Sequence, residues 1–169
     1  MQDDDTALLA TLLQHEEQLQ FTAFGNDMAL ELGMRLVQAA RDLGKAVAVD
    51  IRRNGQQLFQ HAMDGTTPDN AHWVQRKNAV VQRYGHSSFY IGTYHRSRGT
   101  TFEAHTGLDP LQYAAHGGAF PLILKGTGVV GTVTVSGLPQ AEDHELVTSV
   151  LRAYLADKHQ ADKHQADKR

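Results

Sequence analysis

The sequence predicts an α+β domain in which helices surround an antiparallel sheet made from two hairpins. Two β-type runs flank Asn54-Gly55, the residue pair favoured in tight type I′ turns. A second pair of apolar, β-branched runs meets at Gly126-Thr127-Gly128, and segments of helical periodicity lie before, between and after the hairpins. Strands joined by tight turns run antiparallel, so the order helix, helix, hairpin, helix, hairpin, helix describes an α+β rather than a doubly wound domain.

Each element has its own signal. DDDTALLATLLQHEEQL places Leu8, Leu9, Leu12 and Leu13 on one side of a helical wheel, behind an acidic start that suits the helix dipole. LQFTAF is a short, strand-like bridge. A second helix opens at Asn26, a good N-cap, carries Leu30, Met34, Val37 and Leu43 at helical spacing, and stops at Gly44. After the first hairpin, AVAVDIRRNGQQLFQHAM, a helix capped by Thr67 or Asn70 presents Trp73, Lys77, Val80 and Tyr84 on related faces. HSSFYIGTYHRSRGTTF fits extended structure, a continued helix or a second short helix. GLDPLQYAAHGG reads as a loop with a helical turn. AFPLILKGTGVVGTVTVSGL is the second hairpin. The last helix has Pro139 in its first turn, acidic residues early, and Leu146, Val150, Leu151 and Tyr154 on its buried side. ADKHQADKHQADKR repeats every five residues, which matches neither helix nor strand. Residues 1–156 therefore form one domain, and 157–169 a low-complexity tail, frayed or disordered.

Composition removes several classes of function. The 169 residues contain no cysteine, which excludes disulfides, thiolate catalysis and cysteine-ligated zinc or heme. Sixteen basic residues against 19 acidic ones give a net charge of −3, so no electrostatic grip on nucleic acid or on an anionic membrane is expected. The acidic start MQDDDTALL and the lack of a long apolar run suggest a cytoplasmic protein. No GxGxxG or GxxxxGK[ST] sequence opens a helix. Ser136 lacks a G-x-S-x-G setting, and H-E-x-x-H is missing.

The candidate site lies at His116-Gly117-Gly118, ahead of a proline-led strand. His116 reads either as a turn-capping histidine or as a ligand and proton donor. In the second case the N–H groups of Gly117 and Gly118 would meet an anion. Asp143 and His144 either complement a helix N-terminus or form an oriented carboxylate–imidazole pair that joins His116. Trp73, Arg76 and Lys77 share one helical turn. They read as a core indole with solvated cations, or as a clamp on a small anionic planar ligand. His86, His95 and His105, in the aromatic middle of the chain, are read as structural.

AAHGGAFPLILKGTGVVGTVTVSGLPQAEDHELV resembles the GlcG/HbpS-like superfamily, closest to its heme-degrading-domain branch. LGMRLVQAARDLGKAVAVDIRRNGQQLF and PDNAHWVQRKNAVVQRYGHSS extend the likeness over most of residues 19–156. The resemblance implies a profilin-like α/β/α arrangement and a homo-oligomer built from dimers. It also implies heme or a related tetrapyrrole as cofactor. Carried onto this chain, it gives a binding site of His116, Gly117, Gly118, Trp73, Arg76, Lys77, Asp143 and His144, with His116 on the metal. Without cysteine, an iron ligand must be histidine, tyrosine or methionine. Three functions remain open: a tetrapyrrole-binding protein, a cofactor-free oligomeric scaffold, and an enzyme acting on a small anionic substrate at a subunit interface.

Overall fold

Asn54 and Gly55 adopt the positive φ values, 49° and 82°, that their turn requires. They join β1 (Ala48–Arg53) to β2 (Gln56–Ala62) in the computed structural model, which describes residues 2–166. β3 (Ala119–Leu124) and β4 (Gly128–Ser136) form the second hairpin, whose turn lies at 125–127 so that Gly128 already belongs to β4. The two hairpins join through β1 and β4, with Ala48 opposite Ser136, into an antiparallel sheet of order β2-β1-β4-β3. The LQFTAF bridge covers the β3 edge. Phe21 donates its N–H to Ile123 and accepts from Lys125, both at 2.8 Å. The β2 edge stays open.

Strand alternation sorts the sheet into two unlike faces. Val49, Ile51, Val133 and Val135 point to one side and join the buried faces of α2 (Asn26–Asp42) and α6 (Gln140–Ala166) in the apolar core. Asp50, Thr132 and Thr134 point to the other, beneath α3 (Pro68–Tyr84). There Asn78 donates to Asp50 at 3.1 Å and accepts from the Thr134 hydroxyl, while Gln57 donates to Asp50 at 2.6 Å. This layer is polar, yet Asp50 and Asn78 are paired. The molecule is thus an α+β domain with helices on both faces of an antiparallel sheet.

The ambiguous segment is helical, as α4 (Ser88–Ser97) followed by the short α5 (Phe102–Thr106). Ser87 caps α4 by accepting the Tyr90 N–H. α1 (Gln2–Gln18) packs on α4, where its buried Glu16 accepts the Ser87 N–H at 2.7 Å and pairs with His86 at 2.6 Å.

Three expectations about helices are corrected. α2 is capped by Gly25, with Asn26 already helical. It buries Ala29, Leu32, Leu36, Val37 and Ala40, and leaves Leu30 and Met34 outward, 55% and 54% exposed. The small residues that let α2 approach the sheet outweighed the large apolar ones as a guide to its inner face. α6 does not end near residue 157 but continues as exposed helix to Ala166. Alanine, lysine and glutamine are good helix formers, and Lys158 and Asp157 tie the start of the extension to α2 through Glu31 (2.8 Å) and Arg35 (2.6 Å). Among the described residues, no helix is long and apolar enough to cross a membrane.

Candidate functional site

Four of the residues singled out in the sequence line one small cleft. Trp73 and Lys77 stand one helical turn apart on the same face of α3. His116 comes from the loop before β3, and Asp143 from the first turn of α6. The cleft measures about 240 Å³ and is also lined by Asp69, Asn70 and Gln140. At its base Lys77 is buried, 4% exposed, with its Nζ 2.8 Å from Asp143 Oδ2 and donating to the Val135 carbonyl at 3.3 Å. Asp143 in turn accepts the Leu138 N–H at 3.0 Å. Burial pushes the Lys77 pKa down and the Asp143 pKa up, each opposed by the attraction between them. Both shifts lean toward the neutral forms.

The glycine pair serves this ion pair. A Cβ on Gly118, whose φ is 132°, would lie 2.6 Å from Lys77 Nζ, and one on Gly117 would overlap the Gln140 carbonyl. The Gly117 N–H is taken by Gln140 Oε1 at 3.2 Å, so it is not held out for an anion. Arg76 lies over the Trp73 ring at 4.4 Å, and Trp73 donates from Nε1 to Asp69 at 3.1 Å. Trp73 and His116 meet edge to face at 5.3 Å. The His116 pKa is lowered, chiefly by partial desolvation and then by Lys77, Arg76 and Arg96, against Glu103.

His144 does not join His116. It points from α6 into the interior, buried among Phe89, Phe120 and His15. His15 Nδ1 lies 3.2 Å from His144 Nε2. Burial first, then His15, pushes the His144 pKa to about 3. Helical geometry separates neighbours by about 100°, so adjacent Asp143 and His144 serve opposite surroundings.

A second cleft, between α3, α4 and α5, is larger, at about 530 Å³. Tyr84, Tyr90 and Tyr94 wall it, Arg83 lines it, and His95 and His105 face each other with ring centroids 5.1 Å apart. His95 Nδ1 is buried without a hydrogen-bond partner. Burial, then His105, lowers the His95 pKa, which favours the neutral imidazole. Arg98 lies over Tyr94 at 4.6 Å. Read as structural in the sequence, this histidine pair is separated by ten positions with no motif spacing. Only the turn between α4 and α5 brings the rings together. Among the described residues, no group of three or more histidine or carboxylate side chains is placed to hold a bare metal ion.

A family model described as "Haem degrading protein HbpS-like" matches residues 24–152. The UPF0303 protein of Streptomyces coelicolor is 51% identical over 149 residues, which covers 88% of this chain and 94% of that protein. Among solved structures, the Ybr137w protein is similar at a TM-score of 0.81 and 33% identity, over 89% of this chain and 88% of that one. A PduOC:heme complex is similar at a TM-score of 0.62 and 18% identity, over 78% of this chain and 94% of that one, a likeness of fold.

Proposed function

We propose, from the premise that this chain belongs to the family of HbpS-like heme-degrading proteins, that it binds a heme-like tetrapyrrole in the cleft between α3, α4 and α5. The observation that carries this reading is the His95–His105 pair set in aromatic walls, with a buried imidazole nitrogen left unpartnered. The volume of about 530 Å³ falls within the roughly 300–1,000 Å³ of clefts that hold sizeable organic ligands. The lining chemistry fits the group. His105 is exposed on the wall and available to iron, while His95 beside it is buried. Tyr84, Tyr90 and Tyr94 give aromatic walls to a flat macrocycle, and Arg83 offers a guanidinium group to its carboxylates. Bound iron would supply redox and oxygen chemistry, and the chain would supply ligation, orientation and exclusion of water.

The His116 cleft suits this ligand less well. It is less than half as large, its Lys77 ammonium is already neutralised by Asp143, and Asp69 adds a negative charge that would repel propionates. The fold of the PduOC:heme complex adds support to the tetrapyrrole reading as a whole.

A hemin titration followed at the Soret band tests it. Wild type and His116→Ala should bind alike, as should a chain truncated after Asp157, which lacks His159 and His164. His105→Ala should weaken binding at least about tenfold, close to 1.4 kcal/mol. Loss of binding in His116→Ala with none in His105→Ala would return the ligand to the smaller cleft. No Soret change in the wild type would favour a cofactor-free scaffold.

Assembly from dimers belongs to the same proposal. The open β2 edge and the outward Leu30 and Met34 of α2 are features that a second copy would cover. Light scattering at micromolar concentration should give an even number of subunits, and a monomer would remove the proposal.

A further inference from the structure

The Lys77 cleft combines features that a structural ion pair does not need. Lys77 lines an opening of about 240 Å³ although it is only 4% exposed. Its partner Asp143 is 1% exposed and holds a further N–H, so the carboxylate is fixed in place 2.8 Å from the amine. An indole and Leu138 form apolar wall, and Asn70, Gln140 and the His116 imidazole complete a polar lining. Asp69 at the lining disfavours anions, and a cleft of about 240 Å³ admits only a small ligand.

From this arrangement we infer that Lys77 captures small neutral aldehydes or ketones as an iminium in the cleft it shares with Asp143 and His116. The site is separate from the proposed tetrapyrrole cleft, and the inference does not rest on that reading. In the first step the ammonium passes a proton to the Asp143 carboxylate, 2.8 Å away. The freed nitrogen lone pair forms a bond to the carbonyl carbon, and the carbonyl π electrons move to oxygen. Asp143 returns its proton to that oxygen, giving a carbinolamine whose nitrogen is still protonated. Proton transfer from nitrogen to the hydroxyl, relayed by the same carboxylate, releases water and leaves a C=N iminium. One ammonium and one carbonyl thus become one iminium and one water, with the charge conserved and no oxidant or reductant used. Lysine amines desolvated in apolar pockets are the ones activated for this chemistry, and burial pushes the Lys77 pKa down. The His116 imidazole, whose pKa burial lowers, lines the same cleft as a second proton carrier.

Acetaldehyde with sodium cyanoborohydride, applied to the folded full chain at pH 7, tests the inference by trapping an iminium as N-ethyl-lysine. Peptide mass spectrometry should find Lys77 alkylated several-fold faster than the exposed Lys45 and Lys125. Acetate, as an anion of similar size, should not slow the reaction. Lys77→Arg should lose the fast adduct while Lys45 and Lys125 react as before. Alkylation of Lys45 and Lys125 with Lys77 protected would overturn the inference and leave a closed ion pair. Fast reaction of Lys77 only after denaturation in urea would overturn it equally.

Discussion

Asp143→Ala should destabilise the fold by about 3–5 kcal/mol, the loss expected when one member of a buried ion pair is removed. The substitution leaves the Lys77 ammonium in a setting only 4% exposed, with the Val135 carbonyl as its remaining acceptor. It also strands the Leu138 N–H that Asp143 accepts. Because burial already pulls the Lys77 pKa down, the variant lysine should shed its proton, and the loss should shrink as pH rises toward the alkaline range. Lys77→Met combined with Asp143→Leu should cost less than Asp143→Ala alone, since it removes both charges together. Urea unfolding of the three proteins checks this. A loss below about 1 kcal/mol for Asp143→Ala would mean that water reaches the pair freely.

Stability should also fall on acidification, and His144 is a main reason. Its pKa is about 3 in the folded protein and near 6.5 when unfolded. The folded state therefore holds the neutral ring while the unfolded chain takes up a proton. This contribution is fully present above pH 6.5 and is lost progressively as pH falls toward 3. At pH 5 the gap of 1.5 units corresponds to about 2 kcal/mol. His15, its ring partner, is shifted down as well, by burial and by Arg152 against Glu145, and adds in the same direction. The two rings lie 3.2 Å apart, so a charge on His15 disfavours one on His144. Urea unfolding at pH 7 and pH 5 should show this drop, with a shallower one in His144→Gln. Equal pH dependence in the two proteins would place the acid sensitivity elsewhere.

Local chemistry made the fold legible. The Asn54-Gly55 turn, the glycine-bounded second hairpin and the Pro139 helix start each depend on a few neighbouring residues, and each stands within one residue of where its residues place it. The inner face of α2 was only partly legible: Val37 was placed on it, but Leu30 and Met34 compete with Leu32 and Leu36 for the same helical spacing, and Ala29 and Ala40 carry no strong hydrophobic signal. The same limit applies to the sites. Trp73, Lys77, His116 and Asp143 were found by motif and do share a cleft. The role of Lys77 as a buried partner of Asp143 depends on α3 and α6 meeting across 66 residues, which no local pattern encodes. His95 and His105 were read as structural for a related reason, since the approach of their rings depends on the bend between α4 and α5. One further signal was present but unread. Thr132-Val133-Thr134-Val135-Ser136 alternates perfectly, and it marks a sheet with something polar to hold on its second face.

That polar second face bears on how faithfully the chain finds its pairing. A hydrophobic sheet tolerates sliding, because one valine can replace another against the core. Here a slip of one residue between β1 and β4 would turn Asp50 into the apolar layer and Val49 toward Asn78. It would part the Asp50 carboxylate from Asn78, the amide that α3 brings to it. The buried polar layer therefore acts as a proofreading device during assembly. Mispaired sheets lack its hydrogen bonds, and the correct alignment is set apart by rejection of its neighbours as much as by its own packing.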